Sequence, residues 1–176
     1  MKNIDEIDKE LYTNGFLSNK SKQELKWHLG HDEDPIKAID VITDACYVDF
    51  APLMSKYLNH KDNCVRELTI GCLLGRLRLP EYGEAGLKMA TKDEGGARTL
   101  ALLCLGKVIN DVDKGLKKDI AFYLLEVVNG KVYADDFHQG SAYYSMLDAM
   151  NVPNSKRPKS SLLSRIVDWD LGHIQV

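Results

Sequence analysis

The chain has little of what short catalytic motifs require. No G-x-S-x-G elbow, P-loop, G-x-G-x-x-G or H-E-x-x-H occurs in its 176 residues. Cysteine and histidine stand far apart with no local signature, so pattern gives no support to covalent catalysis. The four cysteines, Cys46, Cys64, Cys72 and Cys104, lack any C-x-x-C spacing. They fall inside apolar helical runs and read as small buried hydrophobes in a reducing compartment. Long apolar runs are missing too: none approaches the roughly 18 residues of a membrane span, so no membrane association is expected. The opening stretch MKNIDEIDKE is polar and has no apolar core of a secretory leader, which makes a cytoplasmic location the expectation. No cofactor is expected.

An excess of positive charge is also lacking. Formal net charge is −3, and residues 1 to 60 hold 11 Asp and Glu against 7 Lys and Arg, whereas residues 61 to 110 hold 6 against 8. Duplex binding relies on a basic surface that neutralises phosphates, so an acidic front argues against nucleic acid and suits a basic protein partner. The hydrophobic fraction of 44% is enough for a core, and the length fits one domain.

What is present is repetition. HDEDPIKAID, starting at His31, and HKDNCVRELT, starting at His60, share a plan: a His, then acids, then a helical run. In the second copy Phe50, Leu53, Met54, Tyr57 and Leu58 recur at three and four spacing and predict a first helix. Asn63 then serves as the expected N-cap of a second helix. Its apolar residues Val65, Leu68, Ile70, Cys72, Leu73, Leu74 and Leu77 occupy more than one face, so that helix must be buried from two sides. A third copy runs from Tyr82, with Ala97-Arg98 at the place of Val65-Arg66 and Leu105-Gly106 at the place of Leu74-Gly75. One residue fewer separates its Arg from its Gly. The first copy begins at Ser21, where Ser21 and Glu24 form an expected capping box, and Asp34-Pro35 marks its second helix.

After Asn110 the copies weaken. Leu116, Ile120, Ala121, Leu124, Leu125 and Val128 predict a helix that Asn129-Gly130 stops, and a partner helix is expected from about Asp136 to Met150. NVPNSKRPKS reads as a linker, and Leu162, Leu163, Ile166 and Val167 predict a short capping helix. The expected fold is therefore all-α: an α-solenoid of about four helical hairpins in one domain. Residues 21–48, 49–79 and 82–110 are clear repeats, 111–150 a degenerate one, and 151–176 linker and cap.

A period near 30 residues, two helices per unit, an acidic turn and Val-Arg at the start of the second helix together resemble the HEAT-repeat family. The resemblance implies that turn aspartates and second-helix arginines tie neighbouring units together. Here those positions are Asp34, Asp62, Asp93, Arg66 and Arg98, with Lys37 replacing the arginine of the first unit. It also frames the functional expectations. The first is a non-catalytic protein-binding solenoid, such as an immunity protein that neutralises a basic nuclease toxin by occluding its active site. The alternatives are a HEAT-like enzyme, either a DNA alkylpurine glycosylase or a bilin lyase, and a scaffold or adaptor subunit.

Candidate binding residues follow from charge and aromaticity. Six carboxylates, Asp32, Glu33, Asp34, Asp40, Asp44 and Asp49, lie against the single Lys37, and Asp40 with Asp44 are i,i+4 neighbours. Relief of their repulsion favours a basic protein on Asp32, Glu33, Asp40 and Asp44. Tyr143 and Tyr144 are interface candidates because tyrosine is a common anchor, and Phe137 is expected in the core. His28 and His31 near Asp32 and Asp34 carry metal-accepting atoms. Their spacing spans a helix end, so they read as histidines of a last turn, and no metal is expected. Gly71 with Gly75 reads as close helix packing, and Arg76, Arg78 and Lys107 as a modest basic strip.

Overall fold

A computed structural model describes residues 1–31, 35–132 and 135–157. Among these residues the chain is all-helical, with nine α-helices, several short 3-10 turns and no strand. Among the described residues no helix is long and apolar enough to cross a membrane. The expected capping helix at 160–169 lies outside the described residues.

The first helix, α1 (Ile4–Asn14), precedes the first expected repeat. Asn3 and Glu6 form a reciprocal capping box, Gly15 closes the helix at φ +74, and Ile7 and Leu11 are buried. Next comes α2 (Asn19–His31). It starts ahead of the expected Ser21–Glu24 box, and Ser18 accepts the Ser21 N–H. Ser21 is instead fully buried and donates its hydroxyl to Glu10 at 2.5 Å. Then α3 (Ile36–Ala45) buries Ala38, Ile39, Val41 and Ile42 and ends at Cys46 in a left-handed conformation.

The next expected helix is broken into a 3-10 turn at Val48–Phe50, α4 (Ala51–Met54) and a second 3-10 turn at Ser55–Asn59. The tighter turns change which residues face inward. Phe50, Met54 and Tyr57 are buried, whereas Leu53, expected in the same stripe, is 40% exposed.

After it, α5 (Asn63–Ile70) is capped one residue earlier than expected, by Asp62, whose carboxylate accepts the Cys64 N–H at 2.8 Å. Asn63 reaches across to the next pair and donates to the Glu94 carbonyl at 3.0 Å. From Gly71 to Arg76 the helix widens to a π-turn. The Leu77 N–H returns to the Cys72 carbonyl, five residues back, at 2.9 Å. A π-turn accommodates one extra residue in an otherwise α-helical run. The second copy carries one such extra residue relative to the third, between its Arg and its Gly.

The remaining helices are α6 (Gly83–Lys92), α7 (Gly95–Val108), α8 (Lys114–Val128) and α9 (Asp136–Ala149). Asn129 and Gly130 end α8 as expected, Gly130 at φ +66. α3 packs on α5, α5 on α7 and α7 on α9, while α6 lies against α7 and α8 against α9. Two core clusters result, and they meet within α5 and its π extension. Val65, Cys72 and Leu73 belong to the first cluster, and Ile70 and Leu74 to the second. The helix is buried from two sides, as its apolar pattern requires. Cys72 and Cys104 are buried, but Cys46 and Cys64, expected in the core, are exposed because they fall at the end of α3 and in the first turn of α5.

α7 is buried around most of its circumference, and its tightest approach is to α9. A Cβ at Gly106 would lie 1.8 Å from the Ser145 carbonyl oxygen. The Gly106 N–H also donates to the Ser145 hydroxyl at 2.6 Å. Because the obstruction is backbone, Gly106→Ala forces the helices apart and is expected to cost about 1–3 kcal/mol. Gly30, near the end of α2, has nothing within 4 Å of its Cβ position. Gly30→Ala should therefore be neutral or stabilise by up to about 1 kcal/mol. Urea unfolding of the two variants checks both signs.

Candidate partner-binding grooves

Among the described residues one of the expected arginine–aspartate contacts is made in full, between Arg66 and Asp93. Arg66, in the first turn of α5, grips Asp93 in the turn before α7 with two parallel bonds. Nε reaches Oδ2 at 2.7 Å and Nη2 reaches Oδ1 at 2.6 Å. Its Nη1 donates to the carbonyls of His60 and Lys61 at 2.7 and 3.1 Å. The bidentate fork uses the planar geometry that only arginine supplies. Arg66 beside it holds the Asp93 carboxyl below the ordinary carboxylate range, and Arg98 adds a smaller pull in the same direction. Asp62 has a different task from the expected one, as the cap of α5. Lys37, in the position of the missing arginine, pairs with Asp5 of α1 at 2.7 Å, and both side chains are exposed. Asp34 lies outside the described residues.

Along the α1–α3 seam the acidic tract takes on geometry. Asp40 and Asp44 are both exposed on α3, and α1 brings Asp5 and Asp8 beside them. These four carboxylates, with Lys37, Ile4, Val41 and Thr43, line a groove of about 350 Å³. The Asp40 carboxyl is raised above its ordinary value, chiefly by burial and then by repulsion from Asp44 and Asp8. The contribution of α1 was missed in the sequence, although Asn3 with Glu6 and the spacing of Ile4, Ile7 and Leu11 carry the signal of a capped amphipathic helix. Asp32 and Glu33, expected in the same surface, lie outside the described residues.

A second groove, of about 500 Å³, follows the outer seam of α3, α5 and α7. Asp40 and Thr43 of α3 line one side, Arg76 reaches from the end of the π-turn to the Thr43 carbonyl at 3.4 Å, Arg78 and Lys107 line the other side, and Leu68, Gly71, Gly75 and Leu100 lie between. The two glycines let the helices close: a Cβ at Gly71 would lie 2.6 Å from Leu100 Cδ2, and one at Gly75 2.9 Å from Cys104 Sγ. The packing reading of these glycines therefore holds, and the three cations of the basic strip share one groove.

The aromatic candidates are elsewhere. Tyr143 and Tyr144 sit half-buried on α9, ring centroids 6.0 Å apart, and line neither groove. Phe137 is 69% exposed rather than in the core, because it lies in the first turn of α9 on the side turned from α7 and α8. His28 shares a 2.9 Å hydrogen bond with the Lys2 carbonyl, and His31 bonds the Trp27 carbonyl at 2.9 Å while stacking on its ring. Among the described residues no group of three or more His, Cys, Asp or Glu side chains is placed to hold a metal ion.

Comparison with known proteins finds no matching family model, no matching curated relative and no matching solved structure.

Breaking the rung should be costly, since Arg66→Ala removes four charge-assisted bonds and leaves Asp93 partly buried. The expected loss is about 1–3 kcal/mol. Asp93 has a lowered folded-state value, so the rung is at full strength above the unfolded carboxylate value and is lost as pH falls through the lowered one. The stability difference between wild type and Arg66→Ala should shrink below about pH 4. Denaturation midpoints of both proteins between neutral and acidic pH measure it.

Proposed function

We propose that the chain is a non-catalytic protein-binding module, a small HEAT-like α-solenoid whose acidic α1–α3 surface receives a basic protein. The observation that carries this reading is the gathering of Asp5, Asp8, Asp40 and Asp44 around one groove, where burial and mutual repulsion already raise Asp40. A positively charged partner relieves that repulsion on docking, and the field steers its approach. Support for the solenoid comes from the succession of α3 on α5, α5 on α7 and α7 on α9, and from the Arg66–Asp93 rung at the repeat interval. Each helical pair then completes the core of the one before it. Neutralisation of a basic toxin by an immunity protein is the concrete role that fits such an acidic module.

A nucleic-acid enzyme is the weaker alternative. The α3–α5–α7 groove presents three cations, but Asp40 faces it as well, and among the described residues no aromatic side chain lines it for base stacking.

The test is capture of the partner from the native host, followed by association kinetics with the purified protein. The partner should be basic, and its on-rate should fall with added salt, since attraction is screened over about 8 Å at physiological ionic strength. Asp40→Lys with Asp44→Lys should slow association about tenfold or more, remove most of that salt dependence and leave the fold intact. An acidic partner, or rates indifferent to both salt and charge reversal, would overturn the reading and move attention to Tyr143 and Tyr144.

A further inference from the structure

The α3–α5–α7 groove carries Asp40 on its α3 side and Lys107 on its α7 side. On the α3 side stands Asp40, backed one turn on by Asp44. On the other stand Arg78, just past the π-turn, and Lys107 of α7, while Arg76, the last residue of that turn, reaches back toward α3; all three are exposed. Among the described residues none of these cations is in an ion pair, and two reach backbone carbonyls only at long range. Arg76 Nε lies 3.4 Å from the Thr43 carbonyl and Lys107 Nζ 3.4 Å from that of Gly75. Arg78 is held at φ +54, where the Leu79 N–H reaches back to the Leu73 carbonyl at 3.0 Å. Glycine or asparagine adopts that conformation at little cost, whereas another L-residue gives up about 1–2 kcal/mol. A guanidinium is thus presented at a backbone position that disfavours it, and it lines both this groove and the neighbouring one beside α9.

Resting on the reading of the chain as a protein-binding module, we propose that this groove binds an extended segment of the partner in one direction only, a basic residue against Asp40 and acidic residues against Arg78 and Lys107. Charge complementarity sets the direction, and Leu68 and Leu100 between the two sides take an apolar side chain. Three helices spaced about 8–10 Å apart span about 16–20 Å. About five or six extended residues cross that distance.

The probe is a phage library of random linear peptides about ten residues long, selected on the full chain at roughly 0.15 M salt. Enriched sequences should place Lys or Arg and Asp or Glu in one fixed order around an apolar residue. Binding of a labelled enriched peptide, read by anisotropy, should weaken about tenfold or more for Arg78→Asn with Lys107→Gln and likewise for Asp40→Asn. Asparagine keeps the left-handed turn at 78 unstrained, so folding is preserved. Arg78→Glu with Lys107→Glu should bind the peptide whose acids are changed to lysine better than the original peptide. Uniformly basic peptides indifferent to Arg78→Asn with Lys107→Gln would overturn the groove's polarity while leaving the acidic docking surface standing. Failure to enrich any peptide would overturn the proposal, as would preference of the same cations for an oligonucleotide. The reading as a protein-binding module is lost separately, if the captured partner is acidic or associates at rates indifferent to both salt and Asp40→Lys with Asp44→Lys.

Discussion

The Arg66 guanidinium ties three pieces of backbone together. It grips both oxygens of Asp93 and the carbonyls of His60 and Lys61, so the turn before α5 and the turn before α7 are held as one unit. Everything on the outer seam depends on that register. With the starts of the two helices locked, Gly71 falls against Leu100 and Gly75 against Cys104, and the helices come close enough to leave a groove. A lysine in place of Arg66 supplies one point charge and cannot fork across the carboxylate. The first repeat illustrates this: its Lys37 turns to Asp5 of α1.

The π-turn at Gly71–Arg76 solves a length problem that the rung creates. The second repeat has one residue more than the third between its Arg and its Gly. A continuous α-helix would carry the surplus forward as a rotation of about 100° and turn Gly75 away from α7. Widening the helix absorbs the residue within a turn and a half, so Gly75 still meets Cys104. The same widening ends the helix abruptly, with Arg76 and Arg78 projecting at its end. A local backbone accommodation thus places two of the three cations of the groove, linking a packing requirement to the charge of the surface.

Much of the helical pattern was legible because the signals are local. Apolar spacing located α8 and α9, Asn129-Gly130 marked a helix end, and the two-faced pattern of residues 65–77 required a helix buried on both sides. Errors arose where tighter or wider turns change the period. The 3-10 turns around α4 expose Leu53, and the start of α9 exposes Phe137. The cysteines divide for the same reason: the buried two lie mid-helix against a neighbour, and the exposed two lie at helix ends.

By itself the sequence determined the helical class, the approximate helix positions, the acidic front and the Arg and Asp that make the rung, because each rests on composition or short-range periodicity. Only the tertiary structure decided that Asp5 and Asp8 join Asp40 and Asp44, that Arg76, Arg78 and Lys107 share one groove with Asp40, and that Tyr143 and Tyr144 lie apart from both. These residues are brought together by helix-on-helix register. That register is set by long-range bonds such as Arg66–Asp93 and by backbone contact such as Gly106 on Ser145, which no local pattern encodes.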